Sequence, residues 1–396
     1  MISFDEALGH VLAEKKSFGE EKIPLSAAMG RILAEDIHSD RDAPPFDRVM
    51  MDGIAVAHSS LPDTGATFII EGIQAAGHRV STLHNTLTGC IEVMTGAPLP
   101  ENTDTVIPYE KCVISNGRAT VPAGDIEAGQ NIHFRASDWK AGDRILTKGK
   151  IISVLTVGLL ASFGYAEISV QKLPKIAICS TGDELIDIDQ TPEPYQIRRS
   201  NTYMLAAALQ KEGIDARLFH LADNLESTIK WVAKLKADFD ALLFSGAVSK
   251  GKFDYLPDAL ATLGMRTIFH SVAQKPGKPF LFGSFDGGPL IFGFPGNPIS
   301  TFACYQVYFR SWLTGSLGRI SPMEKGIFGC DMELKGTFSR FVLVDIKIEN
   351  AQLKVQPETS ANSGDLRGLA NSKGFAIFRS GKSHVKTGEL VEIIRF

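Results

Sequence analysis

Cysteine is scarce in this chain, and none of it is arranged for chemistry. The five cysteines among 396 residues (Cys90, Cys112, Cys179, Cys304 and Cys330) form no Cys-x-x-Cys pair, and none sits at zinc-ligand spacing from a histidine. A zinc ribbon and a disulfide framework are thereby excluded, and buried, reduced thiols are expected. The nine histidines show no metal-ligand spacing either, and no Ser/His/Asp signature is present. Long apolar runs are also missing. The longest uncharged stretch, residues 151–166, carries Ser, Thr and Gly and is shorter than the roughly 18 residues a membrane span needs, so a buried helix and no membrane are expected. Met1-Ile2-Ser3-Phe4-Asp5-Glu6 has no basic stretch before an apolar run, which predicts a cytoplasmic protein without a signal peptide. Positive charge is not in excess: 41 Lys and Arg against 45 Asp and Glu leave a net charge of −4. General nucleic-acid binding is therefore disfavoured, although a local basic pocket is not.

What is present suits a soluble globular chain: 44% hydrophobic and 22% charged residues, with length for two to four domains of roughly 100–200 residues each. Ser3 caps a helical pattern of Phe4, Ala7, Leu8 and Val11, and Ala27, Ile32 and Leu33 repeat that spacing, so the first forty residues read as helical. The character changes at Asp42-Ala43-Pro44-Pro45-Phe46-Asp47. From there to about Asp138, short β runs at 67–70, 90–94 and 105–107 alternate with Gly and Pro. Helical spacing resumes at Val154, Val157, Leu159 and Leu160. A β domain at 42–138 inserted into a discontinuous helical linker region, 1–41 and 139–173, is the expected arrangement.

Residues 174–318 alternate strands, at 175–179, 216–221, 241–244 and 290–294, with helices at 202–212, 225–236, 256–263 and 299–313. That order predicts a doubly wound parallel α/β sheet with ligand loops at the carboxyl ends of its strands. Residues 319–396 are β again and read as an independent unit. The fold class is thus multidomain, α/β plus β.

Four loops of the α/β segment carry polar residues straight after an apolar strand. Ser180-Thr181-Gly182-Asp183-Glu184-Leu185 offers a glycine turn, hydroxyls for phosphate and carboxylates for a metal; a helix cap with an acidic first turn is the plainer alternative. Ser245-Gly246-Ala247-Val248-Ser249-Lys250-Gly251-Lys252-Phe253-Asp254 matches the Gly-x-x-x-x-Gly-Lys core of a P-loop, but Phe253 stands where the magnesium-binding hydroxyl belongs. A P-loop NTPase is disfavoured, and a cationic glycine loop with Asp254 available for a metal is left. Lys275-Pro276-Gly277-Lys278-Pro279 presents two ammonium groups on a stiff turn. Phe294-Pro295-Gly296-Asn297-Pro298 leads into a helix, where close backbone approach to a ligand competes with simple punctuation. Together with Asp47, Asp52 and Gly53 at the head of the β segment and Asp138 at its end, the loops point to a magnesium-dependent site for a phosphorylated or pyrophosphate-linked ligand.

Pro45-Phe46-Asp47, Met51-Asp52-Gly53, Met94-Thr95-Gly96-Ala97-Pro98, the 180–185 loop, the Lys275 turn and Pro295-Gly296-Asn297-Pro298 occur in the order seen in molybdopterin molybdenumtransferases. The chain thus resembles the MoeA-type proteins, whose eukaryotic relative is the E domain of gephyrin, from about residue 3 to its end. The resemblance implies a molybdopterin-binding α/β domain, a C-terminal β-barrel at 319–396 and a homodimer with the active site between subunits. It implies an enzyme that takes adenylylated molybdopterin from a molybdopterin adenylyltransferase, inserts molybdate and releases AMP with the help of Mg2+. By matching position, catalysis falls to Asp52, Glu184, Asp223 and Asp254, with Glu184 and Asp254 on the metal. Substrate binding falls to Thr95, Asp138, Thr181, Gly182, Asp183, Ser245, Gly246, Ser249, Lys250, Lys275, Lys278, Pro295, Gly296, Asn297, Arg340 and Ser363, the last two from the partner subunit.

The chain also departs from the family pattern. Arg48-Val49-Met50 stands where the family usually has Asn-Ser-Ala, Ala247 and Lys250 replace a glycine and a valine, and Ser271 replaces a lysine. Two readings follow: the anion pocket keeps its charge by relocation to Arg48 and Lys250, or the chain is a divergent, non-catalytic pterin-binding or scaffold paralogue. Retention of Asp52, Asp183, Glu184 and Asp254 favours the enzyme, because a scaffold has no need of cleft carboxylates.

Overall fold

The strand Ile176–Thr181 is buried throughout, and its residues alternate between two cores: Ile176 and Ile178 enter one, Ala177 and Cys179 the other. A period of two on a strand with no exposed face is what a sheet covered on both sides requires. The computed structural model describes residues 1–248, 254–319, 323–358 and 364–396. It comprises two compact units. One is Met1–Glu21, Gly30–Ile32 and Val170–Phe396; the other is Lys22–Met29 and Leu33–Ser169.

In the first unit the six strands lie in the spatial order Arg217–Leu221, Ile176–Thr181, Ala241–Ser245, Leu290–Phe294, Leu281–Ser284 and Arg266–His270. The first four are parallel, and Leu281–Ser284 runs antiparallel to both neighbours. Helices Asn201–Lys211 and Pro298–Cys304 supply Leu205, Leu209 and Ile299 to one face; Leu225–Asp238 and Leu256–Thr262 supply Val232, Leu235 and Leu260 to the other. This is the expected doubly wound sheet. The antiparallel strand Leu281–Ser284 and the edge strand Arg266–His270 beyond it were not expected, because strands of four or five residues among proline and glycine turns carry too little periodicity to register. The helix expected at 299–313 runs on from Pro298 to Ser316, widening into a π-turn at Tyr305–Phe309.

The strands Glu324–Phe328, Ser339–Glu349, Gln352–Pro357, Gly374–Phe378 and Leu390–Arg395 close on themselves as a five-stranded barrel. The barrel that the resemblance implied is present, but it is not an independent unit. Val344, Ile346, Ala376 and Phe378 fill its interior, whereas the alternate residues Phe341, Leu343, Phe375 and Ile377 belong to the core beneath the α/β sheet. The Phe4 ring lies edge-on to Phe341 at 5.3 Å and Phe302 to Phe396 at 4.8 Å. Gln274–Lys275 pairs in parallel with Ser339 and Arg340.

The helix Phe4–Ala13 starts at a capping box formed by Ser3 and Glu6. The second helical repeat does not form. Glu20–Pro24 is a strand and Leu25–Ala27 a single 3-10 turn; Gly30, at φ 77°, interrupts the pattern before Ile32. The region is therefore mostly extended rather than helical.

The second unit holds a six-stranded sheet in the order Thr105–Pro108, Gly53–Val56, Gly89–Val93, Gly65–Gln74, Arg118–Pro122, Val113–Ser115. Ala55, Ile91 and Val106 line one face and Ile54, Cys90 and Ile107 the other. Gly53 has no substitute, since a Cβ there would stand 2.0 Å from the Ile107 carbonyl oxygen. The helix Val154–Ser162, capped by Ser153, is not buried as expected: Val154 is 69% and Leu155 85% exposed. Its uncharged sequence reflects composition, not burial. Among the described residues no helix is long and apolar enough to cross a membrane. All five cysteines are free thiols; Cys90, Cys179 and Cys304 are buried, and Cys112 and Cys330 only half-buried.

Candidate active site

Parallel pairing brings three of the four loops together. Ser180 is in register with Ser245, and Ser245 with Phe294, so the chain leaves the sheet at one level in three adjacent strands. There a cavity of about 980 Å³ opens, lined by Thr181, Gly182, Glu184, Asp223, Ser245, Gly246, Asp254, Pro295, Gly296 and Asn297 among others. Asn201 ties two loops to each other: its Nδ2 donates to Ser245 Oγ at 2.9 Å and to the Gly296 carbonyl at 2.6 Å. Gly246 N donates to the Phe294 carbonyl at 3.1 Å. Both loop glycines are required by backbone conformation, with φ +129° at Gly182 and +100° at Gly246, where a Cβ would meet Thr181 Oγ1 at 2.9 Å. Ala247 follows at φ 53°, a left-handed conformation that the family's glycine adopts without strain.

The cavity lining carries charge of both signs. It includes Arg198, Arg199 and the start of the helix Asn201–Lys211, whose first N–H groups have no intrahelical acceptor. Thr202, 1% exposed, and Thr181 present buried hydroxyls without a protein partner, as does the Asn201 side-chain oxygen. Unsatisfied buried polar atoms grouped in one cavity indicate a ligand that satisfies them. Arg199 is oriented by an ion pair with Asp187, which also accepts from Tyr203 Oη at 2.7 Å. The lining also includes Glu184, Asp223 and Asp254, with Asp183 accepting from Asp223 N at 3.1 Å. Burial, followed by the Asp183 charge and then those of Glu184 and Asp254, raises the Asp223 carboxyl above the usual carboxylate range. Beside them, His220 Nδ1 lies 2.9 Å from Ser180 Oγ, and its imidazole is held below its ordinary range by burial and then by Arg199.

A carboxylate whose folded-state pKa is raised stabilises the fold while protonated and costs stability as pH rises through that value. Asp223→Asn is therefore expected to raise the thermal midpoint at pH 7, with the gain shrinking as pH falls into the ordinary aspartate range. Melting curves from pH 4 to 8 check this, and an advantage that grows on acidification would refute it.

Among the described residues no three His, Cys, Asp or Glu side chains form a ready-made metal cage. Magnesium needs none when one or two carboxylates act with substrate oxygens, and Glu184 and Asp254, which both line the cavity and both act on Asp223, fit that mode.

The other expected site residues lie elsewhere. Lys275 and Lys278 are exposed and off the cavity lining, although Pro279 of the same turn is on it. The turn is anchored by buried Gln274, which donates to the Gly277 carbonyl at 3.1 Å and accepts from Tyr308 Oη. Arg340 pairs in register with Lys275 within the same chain and donates to the Lys335 carbonyl. Ser249, Lys250 and Ser363 lie outside the described residues. In the second unit, Asp52 Oδ1 accepts from Thr95 N at 2.6 Å and Thr95 Oγ1 at 2.7 Å, which lowers its pKa. Asp138 Oδ1 lies 2.9 Å from His133 Nε2. Sequence reasoning missed Arg198, Arg199, Asn201 and Thr202. The only signal was their position around the start of a helix, with Arg198, Arg199 and Asn201 in a segment otherwise read as connection.

Three family models match: the MoeA N-terminal region (domain I and II) over residues 2–164, a probable molybdopterin binding domain over 177–315, and the MoeA C-terminal region (domain IV) over 325–396. A molybdopterin molybdenumtransferase of Synechocystis is 39% identical over 393 residues, covering 98% of each chain. One from Staphylococcus epidermidis is 29% identical, covering 99% of this chain and 95% of that one. The crystal structure of a molybdopterin biosynthesis MoeA protein from Pyrococcus horikoshii superposes with a TM-score of 0.83 at 26% identity, over 100% of this chain and 99% of that one.

Proposed function

We infer the function from one premise: the chain belongs to the MoeA family. It is a molybdopterin molybdenumtransferase of molybdenum cofactor biosynthesis, which inserts molybdate into adenylylated molybdopterin and releases AMP. The observation that carries this is a cavity whose lining combines Arg198 and Arg199 with Glu184, Asp223 and Asp254. A pyrophosphate-linked pterin with a divalent cation needs cations and free N–H groups for its phosphates and carboxylates for its metal, within reach of each other.

On this reading Arg198, Arg199 and the helix N-terminus hold phosphate oxygens, and the Thr181 and Thr202 hydroxyls supply their unused hydrogen bonds. Glu184 and Asp254 hold Mg2+, which when bound neutralises charge on the pyrophosphate oxygens. Asp223, which lines the same cavity and whose N–H donates to Asp183, takes a catalytic part beside them. Asp183, Ser245, Gly246, Pro295, Gly296 and Asn297 shape the pocket. Lys275, Lys278 and Arg340 form a separate basic group suited to molybdate; Asp52 is assigned to catalysis, and Thr95 and Asp138 to substrate binding. The chain works as a cytoplasmic homodimer supplied by a molybdopterin adenylyltransferase, with the four-part division at 1–41 plus 139–173, 42–138, 174–318 and 319–396.

Incubation of the purified protein with adenylylated molybdopterin, Mg2+ and molybdate tests the reading. Molybdate-dependent AMP release is expected. Tight pterin binding without AMP release would instead make the chain a non-catalytic pterin-binding protein.

A further inference from the structure

The departure at Arg48 acquires a partner in the folded chain. Arg48–Val49 and Ile132–His133 form a short antiparallel ribbon in which Arg48 and His133 are directly opposed. Arg48 Nη2 lies 2.9 Å from His133 Nδ1, and His133 Nε2 lies 2.9 Å from Asp138 Oδ1. A guanidinium carries only donors and an ionised carboxylate only acceptors. His133 Nδ1 therefore accepts from Arg48, and the ring's one proton stands on Nε2, where it is donated to Asp138. Both neighbours demand the same tautomer of a neutral ring.

The ribbon is fixed at its other contacts. Val49 N donates to the Ala97 carbonyl and Gly96 N to the Val49 carbonyl, each at 2.9 Å, and Asp138 N donates to the Ala43 carbonyl at 3.0 Å. The neighbouring cation, Arg135, is committed to Asp42 through a 2.7 Å contact. Arg48 thus supplies the positive charge of the chain Arg48–His133–Asp138. The same ribbon is fastened to the loop from which Thr95 bonds Asp52.

We propose that Arg48 is a positioning residue that acts through His133 to hold the Asp138 carboxylate in one orientation, with Oδ1 engaged and Oδ2 left to accept from the substrate. The functional half of this proposal rests on the reading of Asp138 as a substrate-binding residue; the relay itself does not. Without Arg48, Nδ1 has no fixed donor, and the ring is free to change tautomer, take a second proton or turn.

Two measurements on the full chain test it. Long-range 1H–15N spectra of the His133 ring are expected to show a bare Nδ1 and a protonated Nε2 in the wild type, an averaged or doubly protonated ring in Arg48→Ala, and recovery of the single tautomer in Arg48→Lys. In steady-state kinetics Arg48→Ala is expected to raise KM for adenylylated molybdopterin about tenfold, as for loss of a charge-assisted hydrogen bond, with kcat changed less than about twofold. Arg48→Lys should recover most of the loss, and the double variant Arg48→Ala/His133→Ala should be no worse than His133→Ala alone. A proton on Nδ1 in the wild type, or a ring spectrum unchanged in Arg48→Ala, overturns the relay. An intact relay with unchanged KM overturns its role in substrate positioning. Absence of AMP release from the wild type would instead count against the functional reading, while the spectra would still decide the relay.

Discussion

A chain ended at Gly318 is expected to lose cooperative folding, not merely substrate affinity. The truncation removes Phe341, Leu343, Phe375 and Ile377, which are 0–4% exposed in the core they share with Phe4, Phe302 and Tyr308. Each buried phenylalanine cut to alanine costs about 3–5 kcal/mol, and each leucine or isoleucine about 2–5. Four such losses rival the whole stability of a domain, roughly 5–15 kcal/mol. It also strips the partner from the strand Gln274–Lys275, leaving the 275–279 turn without its support. Circular dichroism and dye binding should find a broad melt and exposed apolar surface in the truncated chain. Phe375→Ala in the full-length chain should lower stability by about 3–5 kcal/mol on denaturant titration. A truncated chain with a sharp, wild-type-like melt would show the barrel to be dispensable for folding.

Asp254→Asn is expected to leave the fold intact and to reduce AMP release by roughly two orders of magnitude, the scale for removing one preorganised electrostatic group from a transition state. Binding of metal-free molybdopterin should stay near normal, and excess Mg2+ should recover part of the rate, since asparagine keeps the shape and an oxygen but not the charge. A capping role would predict otherwise, because asparagine caps as well as aspartate. The helix that follows is Leu256–Thr262, and its N-cap position is held by Tyr255, one residue beyond Asp254. Magnesium titrations of turnover for both proteins separate the two roles. Equal rates that do not respond to magnesium would remove Asp254 from the metal site.

Ala241–Ser245 and Leu290–Phe294 could be read from sequence because a buried parallel strand is a short apolar run bounded by turn residues. Loops such as 180–185 could be read because hydroxyls, glycines and carboxylates following such a run have few other uses. Those signals are contained within about a dozen consecutive residues, and so are the capping box at Ser3 and the departure from the P-loop pattern at Phe253. Which faces meet is a different kind of information. Phe341 and Val344 lie in one strand on opposite faces, and the alternation is the same whether the outer face meets water or the α/β core. The helical spacing of Val154 and Leu155 carries no mark of their exposure. Arg198, Arg199 and Thr202 became site residues only when the sheet set three strand ends side by side, and Arg48 gained its meaning only when the ribbon set it opposite His133. Sequence alone determined the elements and the chemistry each loop can offer, because both follow from local periodicity and residue type. Tertiary structure alone decided the shared core, the mixed-charge lining of the cavity and the Arg48–His133–Asp138 chain, because each joins segments whose separation leaves no trace in the spacing of either.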